Sequence, residues 1–320
     1  MDNRFYDVAV IGAGPAGLTS ALYCRRAEKT VVVFEKDVVG GQVTHSPKIE
    51  NYPGTAQMSG LDFAERLTEQ VKSQGAEIIE AEVTGLLREI DGSWKIILPG
   101  GEFYHSSTVI IAAGVHHRTL GLEGEEELEG SGVSYCAVCD GAFYRGLTVA
   151  VIGGGNSALQ EAVMLSELCS HVYVIQNLDY FTGEQSLVSI LRNASNVELI
   201  TGTIADRLIE EDGELRAVHL APNGEKSMLD SVTGIDTDTY NLPLDGVFVA
   251  IGLKPENEIF SDVAPLDKYG YIEAGEDCSL GNGLFVAGDC RTKSVRQIAT
   301  AISDGAAAAV SACRYIMSRG

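Results

Sequence analysis

Short apolar runs that stop at glycine recur along the chain. The first, Tyr6-Asp7-Val8-Ala9-Val10-Ile11, breaks at Gly12-Ala13-Gly14-Pro15-Ala16-Gly17. Helical spacing then runs to about Arg26, and a further apolar run, Thr30 to Phe34, closes the unit. The same order returns at Leu147 to Ile152, followed by Gly153-Gly154-Gly155-Asn156-Ser157-Ala158, helical spacing to about Cys169, and His171 to Ile175. Apolar runs bounded by glycine read as buried strands, and recurrence at three and four residues reads as helix. Two widely separated strand–turn–helix–strand units predict two βαβ nucleotide-binding folds related by duplication.

Between these units, Gly75 to Val115 alternates in strand fashion, with turns at Asp91-Gly92 and Pro99-Gly100-Gly101 and a return strand at Thr108 to Ala113. A similar block, Gly202 to Ile251, follows the second unit, and within it Asn223 to Leu244 carries little pattern and reads as a surface excursion. Gly283-Leu284-Phe285-Val286-Ala287-Gly288-Asp289 predicts a strand ending in a Gly-Asp turn. An alanine-rich helix is expected from Ile298 to about Met317.

Composition narrows the classes. A chain of 320 residues is long enough for two packed cores. It holds 36 Gly but only 8 Pro, which suits tight turns at strand ends and argues against disorder. The formal charge of -22 disfavours nucleic acid and anionic membranes as partners. No apolar run approaches the length of a bilayer span, and the residues before the first strand show no basic stretch or cleavage site, so a cytoplasmic protein is expected. In that compartment, seven scattered cysteines do not suggest a structural disulfide framework. Cys24, Cys169, Cys278, Cys290 and Cys313 read as buried small hydrophobes.

Two constellations carry chemistry. Gly12, Gly14 and Gly17 form a G-x-G-x-x-G turn between strand and helix, and Glu35 closes the next strand about 20 residues on, where an acid can accept ribose hydroxyls. Dinucleotide binding follows from the combination, which a structural turn alone leaves unexplained. Cys136-Ala137-Val138-Cys139-Asp140 is the other. Two intervening residues let both sulfurs meet on one helical turn, the spacing of redox-active pairs. No second C-x-x-C exists, and His116-His117 is badly placed to complete a zinc site, so no metal is expected. Asp140 is either a solvated turn residue or a general acid for a leaving thiolate; its context favours the acid.

With both constellations in view, the chain resembles the low-molecular-weight, bacterial-type thioredoxin reductases nearly end to end. The resemblance rests on Gly12 to Gly17, Gly40-Gly41-Gln42, Glu50-Asn51-Tyr52-Pro53-Gly54, Gly132 to Tyr144 around the cysteine pair, Phe285 to Cys290, and Val295-Arg296-Gln297-Ile298. It implies an α/β fold of two three-layer nucleotide-binding domains of the FAD/NAD(P)-linked disulfide reductase type, in a homodimer. The FAD domain would comprise residues 1–117 and 246–320, and the pyridine-nucleotide-type domain residues 118–245. FAD would contact Gly12, Gly14, Ala16, Gly17, Glu35, Gly41, Gln42 and Asn51, with Asp289 after Gly288 on the ribityl chain and Arg296 and Gln297 against the ring. Cys139 would take electrons from the flavin, Cys136 would attack the disulfide of thioredoxin, and Asp140 would supply the proton. The family also swings its domains to present the dithiol alternately to flavin and partner.

The second glycine turn departs from that pattern. Gly153, Gly155, Asn156, Ser157 and Ala158 are intact, but Gln176, Asn177 and Leu178 stand where NADPH-using members carry a His-Arg-Arg run, and Thr182 replaces a further arginine. Without those cations the 2′-phosphate loses its charge-assisted bonds. One reading is a degenerate NADH site in which Gln176 or Asn177 still bonds a ribose; the other is a donor such as reduced ferredoxin. These rank together, ahead of NADPH, although the acidic chain counts somewhat against an acidic ferredoxin. A small-molecule dithiol oxidase using oxygen is the runner-up to a thioredoxin reductase. A flavin-bound sensor or scaffold would need neither the cysteine pair nor Asp140.

Overall fold

A computed structural model describes residues 5–46, 49–223 and 240–319. The chain forms two compact units, Met1–His116 with Lys254–Gly320, and His117–Leu253. In the first lie β1 (Phe5–Ile11), α1 (Pro15–Arg26), β2 (Val31–Glu35), α2 (Gly60–Ser73), β3 (Glu77–Glu80), β4 (Gly85–Arg88), β5 (Trp94–Ile97) and β6 (Phe103–Ile111). The chain crosses along β7 (Val115–His117). The second unit holds β8 (Val133–Ser134), α3 (Ala137–Asp140), β9 (Thr148–Ile152), α4 (Asn156–Ser166), β10 (His171–Ile175), α5 (Gln185–Asn193), β11 (Val197–Ile200), β12 (Thr203–Glu211), β13 (Glu214–Pro222), β14 (Tyr240–Pro243) and β15 (Gly246–Val249). After β16 (Leu253–Pro255), the first unit is completed by β17 (Ser279–Gly281), β18 (Leu284–Val286) and α6 (Ile298–Met317).

The first sheet runs β17-β18-β6-β1-β2-β3, with β5 also pairing β6 and β4. Its central neighbours are parallel, as βαβ crossovers require. Side chains alternate across it. Val8, Val10, Val31 and Val33 meet α1 and α6 on one face, while Ala9, Ile11, Val32 and Phe34 meet Leu86, Trp94 and Ile96 of the antiparallel ribbon on the other. Both faces are covered, so the strands read as continuous apolar runs. Each fully buried Val, Ile or Phe contributes ~1.5–3 kcal/mol.

The second unit repeats the plan. Its parallel sheet, β11-β10-β9-β15-β8, packs Val149, Val151, Val172 and Val174 on α4 and α5. Ala150, Ile152 and Ile175 face Leu208, Val218, Leu220 and Leu242 of the antiparallel β12-β13-β14 sheet. Two three-layer α/β units, as expected, are present.

Local boundaries shift. The first closing strand starts at Val31 and includes Glu35, the return strand is the end of the longer β6, and α4 stops at Ser166. The expected boundary at 246 falls too early. Gly246–Val249 pairs in parallel with β9 and β8, so the chain returns to the first unit only at Leu253 and Lys254. Of the weakly patterned stretch from Asn223, residues 224–239 lie outside the described residues, whereas Tyr240–Pro243 is a strand.

Candidate functional site: a glycine cradle and a cysteine pair

In the first unit, β1 delivers the chain into a turn that only glycine can make. Gly12 has φ +101°, and a Cβ there would lie 2.3 Å from the carbonyl oxygen of Ala112. Helix α1 then starts from Gly14 with Pro15 in its first turn and no side-chain cap, which leaves its N-terminal end available to an anion. Glu35, nearly buried at the end of β2, accepts from the Ala13 N–H at 2.6 Å through Oε2 and from the Asp37 N–H at 3.0 Å through Oε1. The acid thus sits on the glycine turn, with lone pairs left for further donors.

Other segments converge on the same turn. The Gly40 N–H donates to the Ala13 carbonyl at 2.9 Å, and a Cβ on Gly41 would come within 3.2 Å of the Gly14 Cα, so Gly41 overlies the turn and Gln42 follows it in the chain. From the far end of the chain, Gly288 packs so closely on Ala16 that a Cβ would sit 2.8 Å from that methyl. Asn51 Nδ2 donates to Gln297 Oε1 at 3.2 Å, and Gln297 caps α6 with Thr300 in a reciprocal capping box. Arg296 lies over the Tyr271 ring and donates to the carbonyls of Asp289, Lys293 and Arg291. All twelve residues expected to contact FAD therefore lie in this unit.

Asp289 leaves an acceptor beside the cradle that suits a ligand. Burial raises its carboxyl's pKa against the opposing charge of Lys293. Its Oδ1 is buried without a hydrogen-bond partner, the Lys293 ammonium standing 3.6 Å away. A buried, unsatisfied carboxylate oxygen is costly unless a hydroxyl reaches it. A ribityl hydroxyl of FAD would be such a donor, and the open helix end together with Glu35 suits its adenosine diphosphate half.

In the second unit, Cys136 and Cys139 are joined in a disulfide, their Cα atoms 5.3 Å apart. Cys136 is the N-cap of α3, and its sulfur accepts from the Cys139 N–H at 3.2 Å. The Cys136 N–H donates to Ser134 Oγ at 3.1 Å, and that hydroxyl donates to Asp140 Oδ2 at 2.7 Å. Asp140 is therefore wired to the pair and is no solvated turn residue. Burial raises its pKa, only partly offset by the Ser134 bond, and Oδ1 is buried without a partner. A carboxyl biased toward its protonated form beside a disulfide is what a proton donor to a leaving thiolate needs.

Sequence reasoning passed over Glu161. On α4 it faces the start of α3, where it accepts a hydrogen bond from the Ala137 N–H, while its Oε2 is buried without a partner. Desolvation pushes its pKa from 4.5 to about 7. In sequence it is one polar residue of an amphipathic helix, with nothing to separate it from a solvent-facing position.

The second glycine turn is folded in on itself. Gly153, Gly155, Asn156, Ser157 and Ala158 occupy the expected strand-to-helix corner. Gln176, however, is buried, with Oε1 accepting from the Asn177 N–H at 3.1 Å and Nε2 donating to the Tyr180 carbonyl at 3.4 Å. Its amide serves its own loop. The N–H groups of Thr182 and Gly183 both donate to the Gly154 carbonyl at 2.9 Å, and Glu184 N–H donates to Asn156 Oδ1 at 2.7 Å. A Cβ on Gly183 would lie 3.0 Å from the Asn156 nitrogen, so this loop covers the start of α4.

Among the described residues, no helix is long and apolar enough to cross a membrane. The profile of the pyridine nucleotide-disulphide oxidoreductase family matches residues 6–305. The thioredoxin reductase of Bacillus subtilis (strain 168) is 36% identical over 317 residues, covering 98% of this chain and 96% of that protein. A 34.2 kDa protein in a rubredoxin operon of Clostridium pasteurianum is 36% identical over 316 residues, covering 98% of each chain. Among solved structures, thioredoxin reductase from Streptococcus pyogenes MGAS5005 superposes with a TM-score of 0.90 at 32% identity, covering 99% of this chain and 100% of that one. With its glycine cradle and its cysteine pair, the chain belongs to the pyridine nucleotide-disulphide oxidoreductase family, as an FAD-dependent disulfide oxidoreductase.

Proposed function

We propose that this protein is a thioredoxin-disulfide reductase whose first unit holds FAD and whose second carries the working dithiol. The observation that carries the reading is the Cys136–Cys139 disulfide with Asp140 tied to it through Ser134. Bound FAD would supply the electron pair that opens the disulfide, with Cys139 as the flavin-proximal sulfur. In the dithiol, the Cys136 thiolate attacks the disulfide of thioredoxin and a mixed disulfide forms. Asp140 protonates the sulfur that leaves, and Cys139 then displaces thioredoxin's second thiol, restoring the Cys136–Cys139 bond. The names of the B. subtilis and S. pyogenes relatives support thioredoxin as partner and weigh against the dithiol oxidase.

NADPH is not the favoured donor. Gln176, Asn177, Leu178 and Thr182 bring no cation, and Glu184, bonded to Asn156, adds negative charge beside the second glycine turn. NADH and reduced ferredoxin remain the donors this reading carries.

The test is trapping. A Cys139→Ser variant incubated with thioredoxin should accumulate a mixed disulfide through Cys136, while Cys136→Ser should keep FAD and reduce no thioredoxin. A mixed disulfide formed through Cys139 in the Cys136→Ser protein, with Cys136 silent in the other variant, would reverse the two roles.

A further inference from the structure

Helices α1 and α6 run side by side in the same direction, in steps of four residues. A Cβ on Gly305 would lie 2.3 Å from the Ala16 carbonyl oxygen, Ser20 Oγ donates to the Gly305 carbonyl at 3.1 Å, and Cys24 Sγ lies 4.0 Å from the Ala309 carbonyl. The next position on this ladder is Cys313. Cys24 and Cys313 belong to the same buried cluster, Cys313 standing one turn beyond the Ala309 that Cys24 touches. Both thiols are free, Cys24 fully buried and Cys313 8% exposed. Neither takes part in the chemistry above.

We propose that Cys24 and Cys313 form a second dithiol, oxidised by hydrogen peroxide to a disulfide that staples the first helix to the last. Cys313 is the attacking sulfur. It is the sulfur that solvent reaches, 8% exposed against 0% for Cys24, and the neighbouring Cys24 thiol and the Lys29 charge lower its pKa against burial and Asp7. The Cys313 thiolate displaces hydroxide from the peroxide: an S–O bond forms, the O–O bond breaks, and the hydroxide takes a proton to become water. The Cys24 thiol then attacks the sulfenic sulfur; the S–S bond forms, the S–O bond breaks, and water leaves with the Cys24 proton. Two thiols lose an electron pair and one peroxide becomes two waters.

The staple joins helices whose other ends reach the flavin cradle, α1 starting at Gly14 and α6 at Gln297. It also closes nearly the whole chain into one loop, so the oxidised form should melt higher and release FAD more slowly. The remaining free thiols are internal controls. Burial pushes Cys169 and Cys278 up to about 11 and Cys290 up to about 12, so they should resist the same oxidant.

The experiment treats the FAD-loaded protein with hydrogen peroxide, alkylates remaining thiols in denaturant and maps peptides by mass spectrometry. A Cys24–Cys313 linked peptide, lost on treatment with dithiothreitol, is expected, with Cys169, Cys278 and Cys290 alkylated. In a Cys24→Ala variant, dimedone should label Cys313; in Cys313→Ala, Cys24 should stay unlabelled. Recovery of Cys24 and Cys313 as alkylated thiols while Cys169, Cys278 or Cys290 is oxidised would overturn the proposal. So would a link formed only in unfolded protein. The mapping of the unaltered protein needs neither variant to fold.

Discussion

Replacing Glu161 by Gln should change how stability depends on pH more than any other single substitution near the cysteine pair. The carboxyl is desolvated by the packing of α3 on α4, no charge on a neighbouring side chain contributes to its shift, and its bond from the Ala137 N–H only partly opposes burial. The folded pKa of about 7 stands above the ordinary 4.5, so the native state holds the proton more tightly than the unfolded chain. Stability from this group is complete below pH 4.5 and falls as pH rises toward 7, because the unfolded chain ionises freely while the native one must keep a proton or bury a charge. At about 1.4 kcal/mol per pKa unit, the loss by pH 8 is on the order of 3 kcal/mol. Gln keeps the acceptor for Ala137 and cannot ionise. The variant should therefore match the parent near pH 5 and gain on it up to pH 8, where thermal melts should separate by roughly 2–4 °C per kcal/mol. Parallel melting curves for the two proteins from pH 5 to pH 8 would show that Glu161 is hydrated in solution, and the desolvation argument would fail.

Asp140→Asn should retain the bond from Ser134 but lose the proton donor; a fall of roughly 10²–10⁴ in thioredoxin reduction is expected, with FAD unchanged. Gly17→Ala places a Cβ 1.9 Å from the Gly12 carbonyl oxygen, so the variant should purify with little flavin, read from its absorbance against about one FAD per chain in the parent. Anaerobic titration should show flavin reduction by NADPH no better than by NADH; efficient reduction by micromolar NADPH would sink the donor reading. The combined changes Gln176→His, Asn177→Arg, Leu178→Arg and Thr182→Arg should raise NADPH use on the order of a hundredfold, since two regained charged bonds at roughly 1.5–3 kcal/mol each suffice.

What the chain determined by itself was wherever chemistry imposes a local spacing. A strand that must turn sharply and bring backbone near a pyrophosphate requires Gly12, Gly14 and Gly17, and that need is written at fixed intervals. The Cys-x-x-Cys pair is equally local, because one helical turn brings its sulfurs together. The two βαβ units followed from apolar runs, since strands covered on both faces tolerate few polar residues. Tertiary structure alone decided the rest. Asn51 met Gln297, Ala16 met Gly288, and Cys24 met Ala309 one turn from Cys313 because helices and loops distant in sequence converge on one sheet. Position 246 carried no signal of which sheet its strand would join; pairing with β9 and β8 settled it. That the loop of residues 176–184 packs on the glycine turn, with Thr182 and Gly183 donating to the Gly154 carbonyl, was likewise visible only in the tertiary structure. Glu161 was silent for the same reason: an acid's pKa is set by what packs against it, and no periodicity along its own helix records that α3 lies there.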